Sequence, residues 1–292
     1  RNREKLQLLA DELNLESRVF DLENEPEIED ALKGVDAVLN VAGPYVHTYK
    51  AMVEACLKNK THYLDISGEI PVYQALADLD YKAKDVGIML LPGVGFDVVP
   101  TDCLALYLQE NLPSGTHLTL GFNSQGPAGL PPGTEKTMIE LIPFGNRIRK
   151  NGELIKPPKG IKTKEIDFGN GPLESLRITW GDVFTGYKTT GIPNIEVYGA
   201  FSDDIIKQFK LIENFRSILS IPFVQNILKK KIKGGSTPEQ RENTIMHVWG
   251  ELKDDTGKTV QCRISGPEGG VVWTSQSALA AIKKVISGDF KT

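Results

Sequence analysis

The sequence predicts an α/β protein: a doubly wound parallel sheet over about the first hundred residues, then a second α+β domain with a mixed, largely antiparallel sheet. Three observations carry this. Short apolar runs alternate with helically spaced apolar stripes as far as Pro100, which is the grammar of repeated β-α-β units. Residues 36–42 (DAVLNVA) form a near-continuous apolar run, as a strand buried on both faces does. After Pro100 the segments become short and are broken by glycines, which suits hairpins better than crossovers.

Taken in order, Leu6, Leu9, Ala10 and Leu13 fall at helical spacing, with Asn2 as N-cap. Residues 18–22 read as a strand and 26–32 as a short acidic helix stopped by Gly34. The strand at 37–42 ends at Gly43-Pro44, and a helix follows over 49–58. A strand at 62–66, a helix over 71–85 and a strand at 88–92 complete the series, giving four parallel strands. Beyond Pro100 come a helix over 102–109, a strand at 117–122, a Pro/Gly-rich loop at 126–133 and a helix near 135–141. Strands at 244–251 and 259–265 flank the turn Asp254-Asp255-Thr256-Gly257. The last helix, 275–286, carries Leu279, Ile282 and Val285 on one stripe. The expected division is a nucleotide-binding domain over 1–100, a substrate and dimerisation domain over 101–270, and a C-terminal helix over 271–292 packing back on the first domain.

Composition narrows the function classes. The 292 residues carry 34 basic and 38 acidic side chains, a net charge of −4 that does not suit a nucleic-acid partner. Cys56, Cys103 and Cys262 are widely spaced and read as reduced thiols of a reducing, cytoplasmic setting. No HExxH or Cys/His cluster argues for a metal, and no GxSxG for a hydrolase. No apolar stretch reaches the ~20 residues of a membrane span.

A dinucleotide-binding sheet opens with a strand and G-x-G-x-x-G, and none is present. In the strand order 3-2-1-4-5-6 the strands at 18–22 and 37–42 are two places apart, about 14 Å at ~4.8 Å per step. The expectation is that the first βαβ unit, roughly 30 residues, lies upstream of Arg1, and that a chain starting there is unstable alone because its strand edges are open.

Residues 39–45 (LNVAGPY), 51–56 (AMVEAC), 62–69 (HYLDISGE) and 93–102 (GVGFDVVPTD) together resemble the saccharopine dehydrogenase-like oxidoreductases, on the branch that includes trans-acting enoyl reductases. The likeness covers about the first hundred residues and continues more faintly through 180–182 and 190–198. It implies a Rossmann-type domain that binds NAD(P), a mixed α/β domain with substrate and dimer contacts, and hence a homodimer. The family's glycine-rich loop has no counterpart in this sequence. No Arg-rich dicarboxylate pocket is visible either, so saccharopine itself is not carried over.

Candidate site residues follow from the carboxyl ends of the parallel strands, where open α/β sheets bind ligands. Arg1, with Asn2 and Arg3, sits where a 2′-phosphate is recognised, which points to NADP over NAD. Asp21 and Leu22 would border the adenine, although Asp21 serves equally well as a strand-end cap. Val41, Ala42, Gly43 and Pro44 offer close backbone approach to a ribose or nicotinamide. Tyr45 either donates a proton or covers the cofactor. Asp65, Gly68 and Glu69 follow the next strand, where the carboxylates orient a substrate or cap a helix. Phe96, Asp97, Thr101 and Asp102 follow the last strand into the interdomain cleft, with Asp102 an alternative helix cap. Tyr45, Glu69 and Asp97 are the catalytic candidates. His47 is a weaker acid–base candidate, and His62, His117 and His247 fit structural positions.

Residues 203–233 carry seven basic and three acidic side chains around an apolar stripe from Ile206 to Ile227. The expected form is a helix pair broken at Pro222 with a solvated basic face; weak peripheral membrane contact is the alternative. The function read from all this is hydride transfer from NADPH to a C=N or activated C=C bond of a small or lipid-like substrate. The alternative is a non-catalytic nucleotide- or lipid-associated protein that retains the fold.

Overall fold

The computed structural model describes residues 3–158, 160–232 and 234–290. Helices α1 (Arg3–Leu13) and α2 (Glu25–Ala31) precede β1 (Ala37–Asn40). Pro26 stands in the first turn of α2, and the Asn24 side chain accepts from Glu27 N at 3.4 Å. Then come α3 (Tyr49–Asn59), β2 (His62–Asp65), α4 (Ile70–Ala77), α5 (Asp80–Val86) and β3 (Leu90–Leu91). The three strands form one parallel sheet in the order β1-β2-β3, with Val38 opposite Tyr63 and Tyr63 opposite Leu90.

Among the described residues this sheet has three strands, not the expected four. Residues 18–22 pair with nothing described; Phe20 and Leu22 pack on the cluster around Ile28 and Met52, and the Arg18 guanidinium bonds Ala31 O and Lys33 O. Side-chain burial holds this segment where a ladder was expected, so Phe20 and Val38 are not strand partners. The single helix expected over 71–85 is two, with Leu79 at the break.

Alternating side chains of β2 show how the sheet is covered. Tyr63 joins the cluster with α2, α3 and α4, whereas Leu64 joins Val94, Ala278 and Val285 on the other face. The last two belong to α12 (Thr274–Ile286), which packs against β1 and β2.

Between β3 and α12 lies the second sheet. Its elements run α6 (Val99–Asn111), β4 (Gly115–Gln125), α7 (Pro132–Glu140), β5 (Ile148–Lys150), β6 (Glu153–Ile155), β7 (Thr163–Asp167), β8 (Pro172–Ile178), α8 (Asp182–Thr190) and β9 (Asn194–Ala200). They continue with α9 (Asp203–Leu219), α10 (Pro222–Lys231), α11 (Pro238–Glu242), β10 (Ile245–Asp254) and β11 (Thr259–Pro267). The order is β11-β10-β4-β9, and the far edge of β9 is shared by the hairpins β5–β6 and β7–β8. Only β4–β9 is parallel, so the sheet is mixed and largely antiparallel. Helix α6 lies on it so closely that a Cβ at Gly250 would fall 2.7 Å from the Leu108 side chain.

The break between α9 and α10 falls where Pro222 opens the second helix. Their outer face differs from the expected basic one: Leu211, Phe215, Ile218, Phe223 and Ile227 are exposed, and Lys229 is drawn inward onto Glu140 of α7. Among the described residues no helix is long and apolar enough to cross a membrane.

Candidate functional site

The carboxyl edge of the parallel sheet is organised by buried polar side chains. Asn40, the last residue of β1, accepts from Ala42 N at 3.0 Å and donates to Thr48 Oγ1 and Tyr63 OH, each at 3.2 Å. Thr48 Oγ1 donates back to Ala42 O at 2.8 Å. These bonds fold residues 41–43 into an outward loop, on which Val41 is 57% exposed although apolar. The Gly43–Pro44 peptide is cis, and a single 3-10 turn (Tyr45–His47) follows.

Glu69 holds that turn. It has no exposed surface, and its Oε1 and Oε2 accept from Tyr45 N and Val46 N, each at 2.7 Å. Thr137 Oγ1 of α7 adds a longer contact of 3.4 Å to Oε1. Burial raises the proton affinity of Glu69 above the usual carboxylate range, opposed by these donors. Tyr45 is itself buried beside Gly43; burial, with Asp65 and Glu69 nearby, pushes its phenol well above the ordinary value.

Asp65 makes the corresponding tie at the end of β2. Its Oδ2 accepts from Tyr63 OH at 2.8 Å; its Oδ1 accepts from Ser67 N, Ser67 Oγ and Gly93 N at 2.9, 2.6 and 3.0 Å. This fixes the loop after β2 to the loop after β3.

Asp97 lies directly beneath Gly68, where a Cβ would stand 1.7 Å from its Oδ2. Only glycine leaves room there for the carboxyl group. Asp182 is fully buried beside it, and among the described residues Asp97 Oδ1 is buried without a hydrogen-bond partner. Burial, then Asp182, raise Asp97 far above the usual range, and burial with Asp102 does the same to Asp182. Asp102 accepts from Thr185 Oγ1 at 3.0 Å and Thr189 Oγ1 at 2.8 Å, and burial raises it to about 6.

The structure therefore brings Gly43, Pro44, Tyr45, Asp65, Gly68 and Glu69 to one edge, alongside Val41 and Ala42. It does not bring the Phe96 side chain, which is buried in the cluster on the second sheet with ring centroids 6.0 Å from Phe122 and 5.5 Å from Trp273. Asp21 lies in the turn before α2, accepting from Glu23 N at 3.0 Å, and Leu22 packs on the Ile28 cluster. His47 faces α7, with Nε2 3.5 Å from Glu140 Oε1. Thr101 donates to Val98 O at 2.9 Å, a bond within the opening of α6. Arg1 lies outside the described residues.

Beside Gly68 opens an apolar cavity of about 210 Å³, lined among others by Ile70, Phe122, Met138, Ile139 and Trp180. The Phe122 and Trp180 rings lie 4.8 Å apart, and Trp180 Nε1 is buried with no hydrogen-bond partner among the described residues. Tyr45, Glu69 and Asp97 do not line this cavity. A larger cleft of about 1100 Å³ flanks the open edge of β3 and touches Asp102, but not Gly43, Gly68 or Glu69. Sequence reasoning missed the cavity wall; its one visible signal was Trp180, inside the fainter likeness.

Known proteins resemble this chain in part of its sequence and in its fold. Residues 1–91 match the family model described as "Saccharopine dehydrogenase NADP binding domain". The human "Saccharopine dehydrogenase-like oxidoreductase" is 30% identical over 176 residues, 54% of this chain and 41% of that protein. The "Trans-acting enoyl reductase" of Mycobacterium ulcerans is 33% identical over 187 residues, 60% of this chain and 44% of that protein. The matches thus span about two fifths of each relative. Among solved structures, apo saccharopine dehydrogenase (L-Glu forming) from Saccharomyces cerevisiae shares the fold. Its TM-score is 0.62 at 12% identity, covering 100% of this chain and 85% of that one.

Proposed function

We propose, from the match of residues 1–91 to the saccharopine dehydrogenase NADP binding domain model, that the protein is an NADP-dependent oxidoreductase whose substrate lies in the apolar cavity beside Gly68. The cofactor, when bound, supplies or accepts the hydride. The residues at the carboxyl edge suit its nicotinamide half. Val41 to Gly43 present exposed backbone with little side chain, and a Cβ at Gly43 would meet only the Tyr45 ring, at 3.1 Å. Asn40 and Glu69 hold that loop from below, so its geometry is set before any ligand arrives.

The observation that carries the reading is the position of Gly68. It adjoins Glu69, which clamps the cofactor-side turn, and it also lines the cavity. A bond lying over Gly68 is within reach of both. The cavity wall is apolar, which favours an activated C=C over a charged iminium. Within this chain the work is binding, orientation and exclusion of water.

A second reading, nucleotide binding without turnover, is supported by one fact: the three candidate acids are all engaged or buried away from the cavity. One experiment separates the two. NADPH absorbance is followed with an α,β-unsaturated octenoyl thioester and with a cyclic imine. Oxidation with the thioester alone supports the reading; saturable NADPH binding with neither oxidised supports the second.

A further inference from the structure

Resting on that cavity as the substrate's seat, we infer that its occupant is an amphipathic anion, an apolar chain between Phe122 and Met138 with a carboxylate or phosphate head held by Arg147 and Arg216. The apolar wall ends at Gly145, Asn146, Arg177 and Arg216. Arg177 is already neutralised there, by Glu196 at 2.9 Å, and the same carboxylate takes Lys162 at 2.7 Å.

Arg147 and Arg216 are different. Both guanidinium groups converge over Gly145, where an added Cβ would lie 2.5 Å from Arg216 Nη1 and 3.8 Å from Arg147 Nη1. Gly145 has φ +68°, a conformation that favours glycine, and the missing side chain leaves room for the Arg216 guanidinium to lie against it. Arg147 lies over the Phe144 ring at 4.1 Å and donates from Nη1 to Asn146 O at 2.9 Å, which fixes its plane. Among the described residues no carboxylate forms an ion pair with either group. The nearest acid along α9, Glu213, accepts from Gly160 N at 3.2 Å.

Two like charges held together in a half-buried place are unfavourable without a counterion. Burial and then the neighbouring Arg216 lower the proton affinity of Arg147. An anion placed between them removes that repulsion and gains charge-assisted bonds from two planar donors. The apolar wall directly behind excludes a small, fully hydrated anion as the best occupant; a chain must accompany the charge.

The test is calorimetric titration of the full chain with octanoate, octyl phosphate and octanol. The wild-type protein should bind at least one anion about tenfold or more tightly than octanol, and the tighter of the two names the head. In Arg147→Gln/Arg216→Gln the anions should fall to the octanol level, with octanol affinity unchanged. Equal wild-type affinity for octanol and both anions overturns the inference, as does anion binding that survives the double substitution or no binding of any of the three. The wild-type comparison decides even if the variant does not fold. NADPH titrated in parallel reports the cofactor site independently, so failure here is distinguishable from failure of the oxidoreductase reading.

Discussion

Replacing Glu69 by Gln tests whether this residue is a clamp or an acid. The wild-type carboxylate accepts two backbone N–H groups, one on each oxygen, at 2.7 Å. A glutamine of the same shape offers one oxygen and one NH₂, so one of the Tyr45 and Val46 amides faces a donor inside the protein. A buried, unsatisfied N–H costs about 1–3 kcal/mol, and the other bond loses its charge assistance. Relief of the buried charge offsets part of this, since Glu69 is held above the usual carboxylate range by burial. The net expectation is a loss of ~1–3 kcal/mol, read as a melting temperature lower by several degrees. Circular dichroism melts of wild type, Glu69→Gln and Glu69→Ala measure it, and Ala, which satisfies neither amide, should lose more. If Glu69→Gln melts with the wild type but abolishes turnover, Glu69 acts on the substrate and the clamp argument is wrong.

Gly68→Ala should destabilise by ~1–3 kcal/mol in urea titrations, because its Cβ would overlap Asp97 Oδ2; Asp97→Ala in the same chain should return part of that loss. Burial holds Asp102 at about 6 in the folded chain, against an ordinary 3.8. The native state therefore holds the proton more tightly, and this group's stabilisation is full below pH 3.8 and falls by ~3 kcal/mol as pH rises to about 6. Asp102→Asn should flatten that slope in chemical denaturation between pH 4.5 and 7, and an unchanged slope would refute the assignment. Gly43→Val should weaken NADPH binding by placing a branched side chain on the exposed loop; an unchanged dissociation constant would show that the loop does not touch the cofactor.

What the sequence made legible was local. Pro222 marks the start of α10 because its ring suits a first helical turn, and the apolar run at 37–42 marks a strand covered on both faces, although the strand ends at Asn40 and Val41 and Ala42 leave it for the loop. The segment at 18–22 looked the same locally, yet a strand needs a partner and apolar content cannot supply one. Glu69 was readable as a cap, but its targets lie 24 and 23 residues earlier, before α3 and not in its own helix. Gly68 is flanked by Ser67 and Glu69 like any loop glycine; the demand for it comes from Asp97, which no local pattern reveals. The cavity draws its wall from α4, β4, α7, β8 and α9, five elements that meet only in the folded chain. Phe96 was misplaced for the converse reason. Its position after β3 suggested the cleft, and its size sent it into the second core.

Hydrogen–deuterium exchange with and without saturating NADPH addresses the cofactor site itself. The account predicts slower exchange in residues 41–46, the loop that Asn40 and Glu69 hold at the sheet's carboxyl edge, and none in β10 and β11, which form the far side of the second sheet. Saturable NADPH binding that leaves 41–46 unprotected would contradict it, and so would protection confined to the cleft at the open edge of β3.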